Sequence, residues 1–103
     1  MEQYQLLKVF FGEKIMIDTY NQSVIEYLIG ELKKNYQTDR IFLNKSENGW
    51  TSISTKKKDN IRIGNQLVLY LIGLDGWEPY SVDHEHDGYY FRKRTIAESK
   101  TQD

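Results

Sequence analysis

The chain has no cysteine, a single proline, almost no net charge and no long apolar run. Each of these shortages excludes something. Without cysteine there is no disulfide scaffold, no thiol nucleophile and no zinc site built on thiolates. The longest apolar run, Leu67–Leu74, contains Tyr70 and Gly73 and falls far short of the roughly 20 residues that cross a bilayer. Lys and Arg total 14 against 15 Asp and Glu, a net charge of −1. That balance removes any general drive toward nucleic acid or an anionic membrane, so neither is expected as a partner. Met1–Glu2–Gln3 has no basic segment leading into an apolar stretch, so no secretory signal is visible and a cytoplasmic location is expected. The seven glycines are scattered and form neither a phosphate-cradling loop nor a dinucleotide fingerprint, and no cofactor is implied.

What is present is one globular domain. The length is 103 residues, with 39% hydrophobic and 28% charged. That suits a single modest core. Aromatic residues reach 14%: eight Tyr, four Phe and two Trp.

Tyr4–Phe11 reads as a strand with two apolar sets, Tyr4/Leu6/Phe10 and Leu7/Val9/Phe11, so both faces are expected to be covered, either by a helix layer and a partner chain or by two layers of its own domain. Gly12–Glu13 fits a two-residue turn with Gly at a positive-φ position, and Lys14–Asp18 returns. Ser23 and Glu26 have capping-box spacing. Val24, Ile25, Leu28, Ile29 and Leu32 then form one helical stripe ending near Tyr36. Arg40–Lys45 and Trp50–Thr55 flank Asn48–Gly49, a strong hairpin signal. The second of these strands has few apolar residues and is expected near an edge. A second helix is predicted from about Arg62 to Leu74, with Ile63, Leu67, Tyr70, Leu71 and Leu74 on one face and more apolar residues around it. A helix apolar nearly all round points to an oligomer interface in so small a chain. Two strands close the domain, Trp77–Val82 and Tyr89–Arg94, joined by Asp83–Gly88. Pro79 assigns the first of them to an edge or a bulge. Residues 1–94 form the domain, and residues 95–103 read as a disordered tail.

The expected order is ββ-α-ββ-α-ββ, an α+β fold with an antiparallel sheet and two helices on one face. Tyr27–Leu28–Ile29–Gly30 recurs as Tyr70–Leu71–Ile72–Gly73, which suggests two αββ units after a leading hairpin.

Gly76–Trp77–Glu78, Ser81–Val82 and Tyr90–Phe91–Arg92–Lys93–Arg94, with the Tyr-rich opening strand, form a recognisable pattern. It resembles a family of small uncharacterised bacterial and phage domains. The resemblance covers the first strand and the last third of the chain. It implies packing roles for Trp77 and Gly76, and it carries over no functional site.

Three groups of residues bear chemistry. Tyr90, Arg92 and Arg94 share one face of the last strand, an aromatic ring beside guanidinium forks, which suits a ring ligand bearing phosphate. Tyr80, Trp50 and Arg62 are further candidates for that ligand site. An exposed strand edge guarded by charge is the competing explanation. His84 and His86, two residues apart in Asp83–Asp87, would point to one side if extended and could hold a metal with a third ligand. An acidic, solvated hairpin tip, with His and Asp as ordinary polar loop residues, is the competing explanation. No nucleophile–base arrangement is identifiable.

The expected function is a non-catalytic, homo-oligomeric binder of a small, nucleotide-type ligand. The phage members of the resembled family suggest sequestration of a nucleotide-derived defence signal. Two alternatives are a protein–protein adaptor or inhibitor with an exposed aromatic surface, and a small metal-assisted phosphodiesterase using His84 and His86.

Overall fold

The computed structural model describes residues 3–95. It has six strands and two helices in the expected order. The strands are β1 (Gln3–Phe11), β2 (Ile15–Thr19), β3 (Ile41–Lys45), β4 (Thr51–Thr55), β5 (Glu78–Asp83) and β6 (Gly88–Thr95). The helices are α1 (Gln22–Tyr36) and α2 (Asn65–Leu74), with a short 3₁₀ turn at Lys57–Asp59. All strand pairs are antiparallel, in the order β3-β4-β2-β1-β6-β5. The β1–β2 hairpin is therefore central. Each following αββ unit sets its second strand against it, β4 on β2 and β6 on β1, and leaves its first strand at an edge. This arrangement agrees with the two-unit reading.

Alternation places Leu7, Val9, Phe11, Ile15, Ile17, Ile53 and Phe91 toward the helices, where they are buried with Val24, Ile25, Leu28 and Leu32 of α1 and Val68, Leu71 and Ile72 of α2. Among the described residues no helix lies on the opposite sheet face. Among the described residues β1 is therefore covered on one side only, and its second cover does not come from another layer of the domain. Tyr4 and Leu6 are exposed.

Other local expectations are corrected. α1 starts at Gln22 because Asn21, not Ser23, is the N-cap; its Oδ1 accepts from the Ser23 N–H at 2.9 Å. α1 ends on Gln37, which takes the left-handed conformation while the Thr38 N–H reaches the Lys33 carbonyl. The β1–β2 connection is the three residues Gly12–Lys14, and Gly12 does not have positive φ. In the β3–β4 turn Gly49 does, at φ 93°. β4 is not an edge strand. It lies between β3 and β2, with Thr51, Ser52 and Ile53 all buried. α2 begins at Asn65, not Arg62, and its buried stripe is Val68, Leu71 and Ile72, leaving Tyr70 and Leu74 exposed. β5 is an edge strand and also has a register break between Pro79 and Ser81, so both structural options for a strand proline are realised. β6 continues to Thr95. The rest of the expected tail, residues 96–103, lies outside the described residues.

Two tyrosines tie the helices into the domain. The Tyr27 hydroxyl donates to the Leu71 carbonyl of α2 at 3.0 Å. The Tyr36 hydroxyl accepts from the Gly64 N–H, just before α2, at 2.9 Å. Burial, followed by the nearby Glu31, Asp75 and Tyr70, raises the Tyr27 phenol above its ordinary value. Trp77 is buried, as expected, and its indole N–H donates to Asp75 at 3.1 Å. Among the described residues no helix is long and apolar enough to cross a membrane.

Candidate functional site

The uncovered sheet face gathers most of the predicted ligand residues. Tyr90, Arg92 and Arg94 alternate along β6 and share this face with Tyr4, Leu6, Lys8 and Phe10 of β1. The register break in β5 brings Tyr80 beside them, its ring centroid 6.3 Å from that of Tyr90. Tyr90 meets Phe10 edge-on at 5.9 Å, and Phe10 meets Trp50 edge-on at 5.4 Å. Tyr80, Tyr90, Phe10 and Trp50 thus form a continuous aromatic row across the sheet. Each edge-to-face contact adds about 0.5–1.5 kcal/mol beyond the area it buries.

Phe10 belongs to this surface, although its place in an apolar strand reads as core. Its position depends on Gly88, which lies opposite it in the β1–β6 register. A Cβ on Gly88 would lie 2.4 Å from Phe10 Cε1, so only glycine leaves room for the ring. Tyr4, likewise read as packing, is 40% exposed and belongs to the same face. Tyr70, also read as packing, is 62% exposed on α2.

Arg92 stacks between two rings, its guanidinium carbon 4.7 Å from the Tyr4 centroid and 5.8 Å from that of Tyr80. Its Nε donates to Glu78 Oε1 at 2.8 Å. The hydrogen bond to Glu78 raises the Arg92 pKa further above its already high ordinary value, with smaller contributions from the charge of Glu78 and the tyrosines. The guanidinium is therefore fixed in place and its charge matched locally. Lys8 Nζ lies 5.9 Å from the Tyr90 centroid and adds a second cation to the face.

Arg62 is not part of this surface. It lies in the loop before α2 and lines a cleft with Ile15 and Ile53, which belong to the helix-facing side of the sheet.

His84 and His86 sit in the β5–β6 turn and not in an extended segment, so the same-side argument from strand alternation does not hold. His86 Nδ1 is 2.8 Å from Asp83 Oδ2, while the His86 N–H donates to Asp83 Oδ1 at 3.3 Å. These bonds hold the Asp83 carboxyl below its ordinary value, the side-chain bond to His86 first. Among the described residues no three His, Asp or Glu side chains converge as a metal site would require. The turn chemistry lies in Asp87, at φ 53°.

Sequence and structure comparisons add no assignment: the chain matches no protein-family model, no curated protein and no solved structure. The motif resemblance at the C-terminus therefore rests on its own residues.

Proposed function

We propose that this chain is a non-catalytic binding protein whose recognition surface is the open face of its sheet. Its ligand is a small molecule of nucleotide type, held between copies of the chain in a homo-oligomer. The observation that supports this reading is the aromatic row Trp50, Phe10, Tyr90 and Tyr80, with Arg92 stacked at its end. Such rings offer π-faces to a planar base, worth about 1–3 kcal/mol per stacked base. Lys8 and Arg94, on the same face, are suited to pairing with phosphate. A sheet face is open to one side, so a second copy is the natural cover for a ligand that one protomer cannot surround. Binding without turnover is the chemistry of sequestration, which suits a role in capturing a nucleotide-derived signal.

A screen of cyclic dinucleotides and ADP-ribose derivatives by thermal shift tests this, combined with particle mass in solution. A ligand should raise the melting temperature of the wild type, less so that of Tyr90→Ala, in an oligomer. A wild type that no ligand stabilises overturns the nucleotide assignment.

A second reading, a protein-binding adaptor, is favoured by one detail. Glu78 already matches the Arg92 charge, and Leu6 beside it is 51% exposed, which gives that end of the face an apolar character. A monomer that binds no nucleotide but loses a protein partner on Leu6→Asp would establish this reading instead.

A further inference from the structure

The cleft that contains Arg62 has the elements of a binding site of its own. Its volume is about 740 Å³, within the range of small-molecule pockets. Three cationic side chains line it: Lys14 from the β1–β2 turn, Lys57 from the 3₁₀ turn, and Arg62. None of the three forms an ion pair with another described residue. Arg40, Arg92 and Lys93 elsewhere are each paired with a carboxylate. Glu13 is the one acidic residue of the lining. Beside these charges lie four isoleucines: Ile15 and Ile53 are buried, and Ile61 and Ile63 are half-buried.

The wall that carries two of these cations is held in place by separate tethers. Arg40 Nε donates to Asp59 Oδ2 at 2.6 Å and anchors the 3₁₀ turn. Asn60, at φ 52°, reverses the chain. The Thr55 hydroxyl donates to the Ile61 carbonyl at 3.0 Å, and the Tyr36 hydroxyl takes the Gly64 N–H. These bonds flank Lys57 and Arg62 on both sides. Uncompensated cations on a tethered wall, next to an apolar floor, match one class of ligand. It has an oxyanion head and an apolar body.

We propose that this cleft binds a small organic anion, its phosphate or carboxylate head held by Lys14, Lys57 and Arg62 and its apolar body resting on the isoleucines. The site is separate from the aromatic face, and Tyr90→Ala distinguishes the two.

The test is fluorescence titration with 1-anilinonaphthalene-8-sulfonate, an aromatic body with an anionic head, followed by competition with phenyl phosphate and with octanoate. The full chain is compared with the triple variant Lys14→Ala, Lys57→Ala, Arg62→Ala and with Tyr90→Ala. The three cations are exposed, so the triple variant should keep its melting temperature. Affinity should fall at least tenfold in the triple variant and stay within twofold in Tyr90→Ala. Displacement by phenyl phosphate alone assigns a phosphate head; displacement by octanoate assigns a carboxylate. Unchanged affinity in the folded triple variant overturns the proposal, as does displacement by neither competitor. Should the triple variant not fold, Ile61→Asp and Arg62→Glu as single changes must each weaken binding at least fivefold for the proposal to stand.

Discussion

The two faces of β1 both carry large apolar side chains and have different fates. Toward the helices it presents Leu7, Val9 and Phe11, all buried; toward the open side it presents Tyr4, Leu6, Lys8 and Phe10, of which Tyr4 and Leu6 are exposed. The covered face is held by close packing of aliphatic side chains from two helices. The open face is organised by ring contacts and one paired guanidinium. Apolar content along a strand does not by itself decide which face is core. The helices decide it, by where their own stripes lie.

The largest effect that sharpens this comparison is expected at Leu7. Leu7→Ala removes a side chain that is 1% exposed and should cost about 2–5 kcal/mol in urea unfolding. A cost below 1 kcal/mol there would break the distinction between the faces. Gly88→Ala comes next. The added methyl strikes the Phe10 ring and should destabilise by about 1–3 kcal/mol. Phe10→Ala in the same chain should relieve most of that cost in a double-mutant cycle. Additive losses would mean that the ring does not depend on Gly88.

Tyr27→Phe deletes the interhelical bond to Leu71 and should cost about 1 kcal/mol. Its pH dependence has a definite sign. The folded phenol ionises above its unfolded value, so the unfolded chain loses its proton first. The stabilisation is intact below about pH 10 and is lost as pH rises through the folded value. Equilibrium unfolding between pH 8 and 11 should therefore show a loss that Tyr27→Phe reduces; identical profiles would mean that the Tyr27 phenol does not link stability to pH. The smallest effect is expected at Leu6. Leu6→Ala, next to Leu7 in the chain, should stay within about 0.5 kcal/mol by the same urea measurement.

Much of the fold was legible because its signals are local. The stripe Val24, Ile25, Leu28, Leu32 is buried as its spacing requires, and Asn48–Gly49 does turn the chain between β3 and β4. Where local signals competed, the outcome was harder to read. Asn21 and Ser23 are both good N-caps, and the structure uses Asn21. Trp50–Thr55 has few apolar residues, yet β4 lies inside the sheet because edge position depends on pairing with β2, which no local pattern encodes. The candidate surface follows the same division. Tyr90, Arg92 and Arg94 share a face by simple alternation. The links to Phe10, Glu78 and Tyr80 cross between strands and require the register. Arg62 joins them in the sequence by charge alone, and the path of the loop before α2 places it elsewhere.

The two outer strands differ in one way that bears on how copies of this chain could join. Pro79 and the register break deprive β5 of a regular row of donors and acceptors. β3 has neither device, and all five of its residues pair in unbroken register with β4. Edge-to-edge pairing of copies would therefore be one-sided. Two sheets meeting through β3 would turn only β5 outward, and the assembly would close at two instead of extending into a fibre.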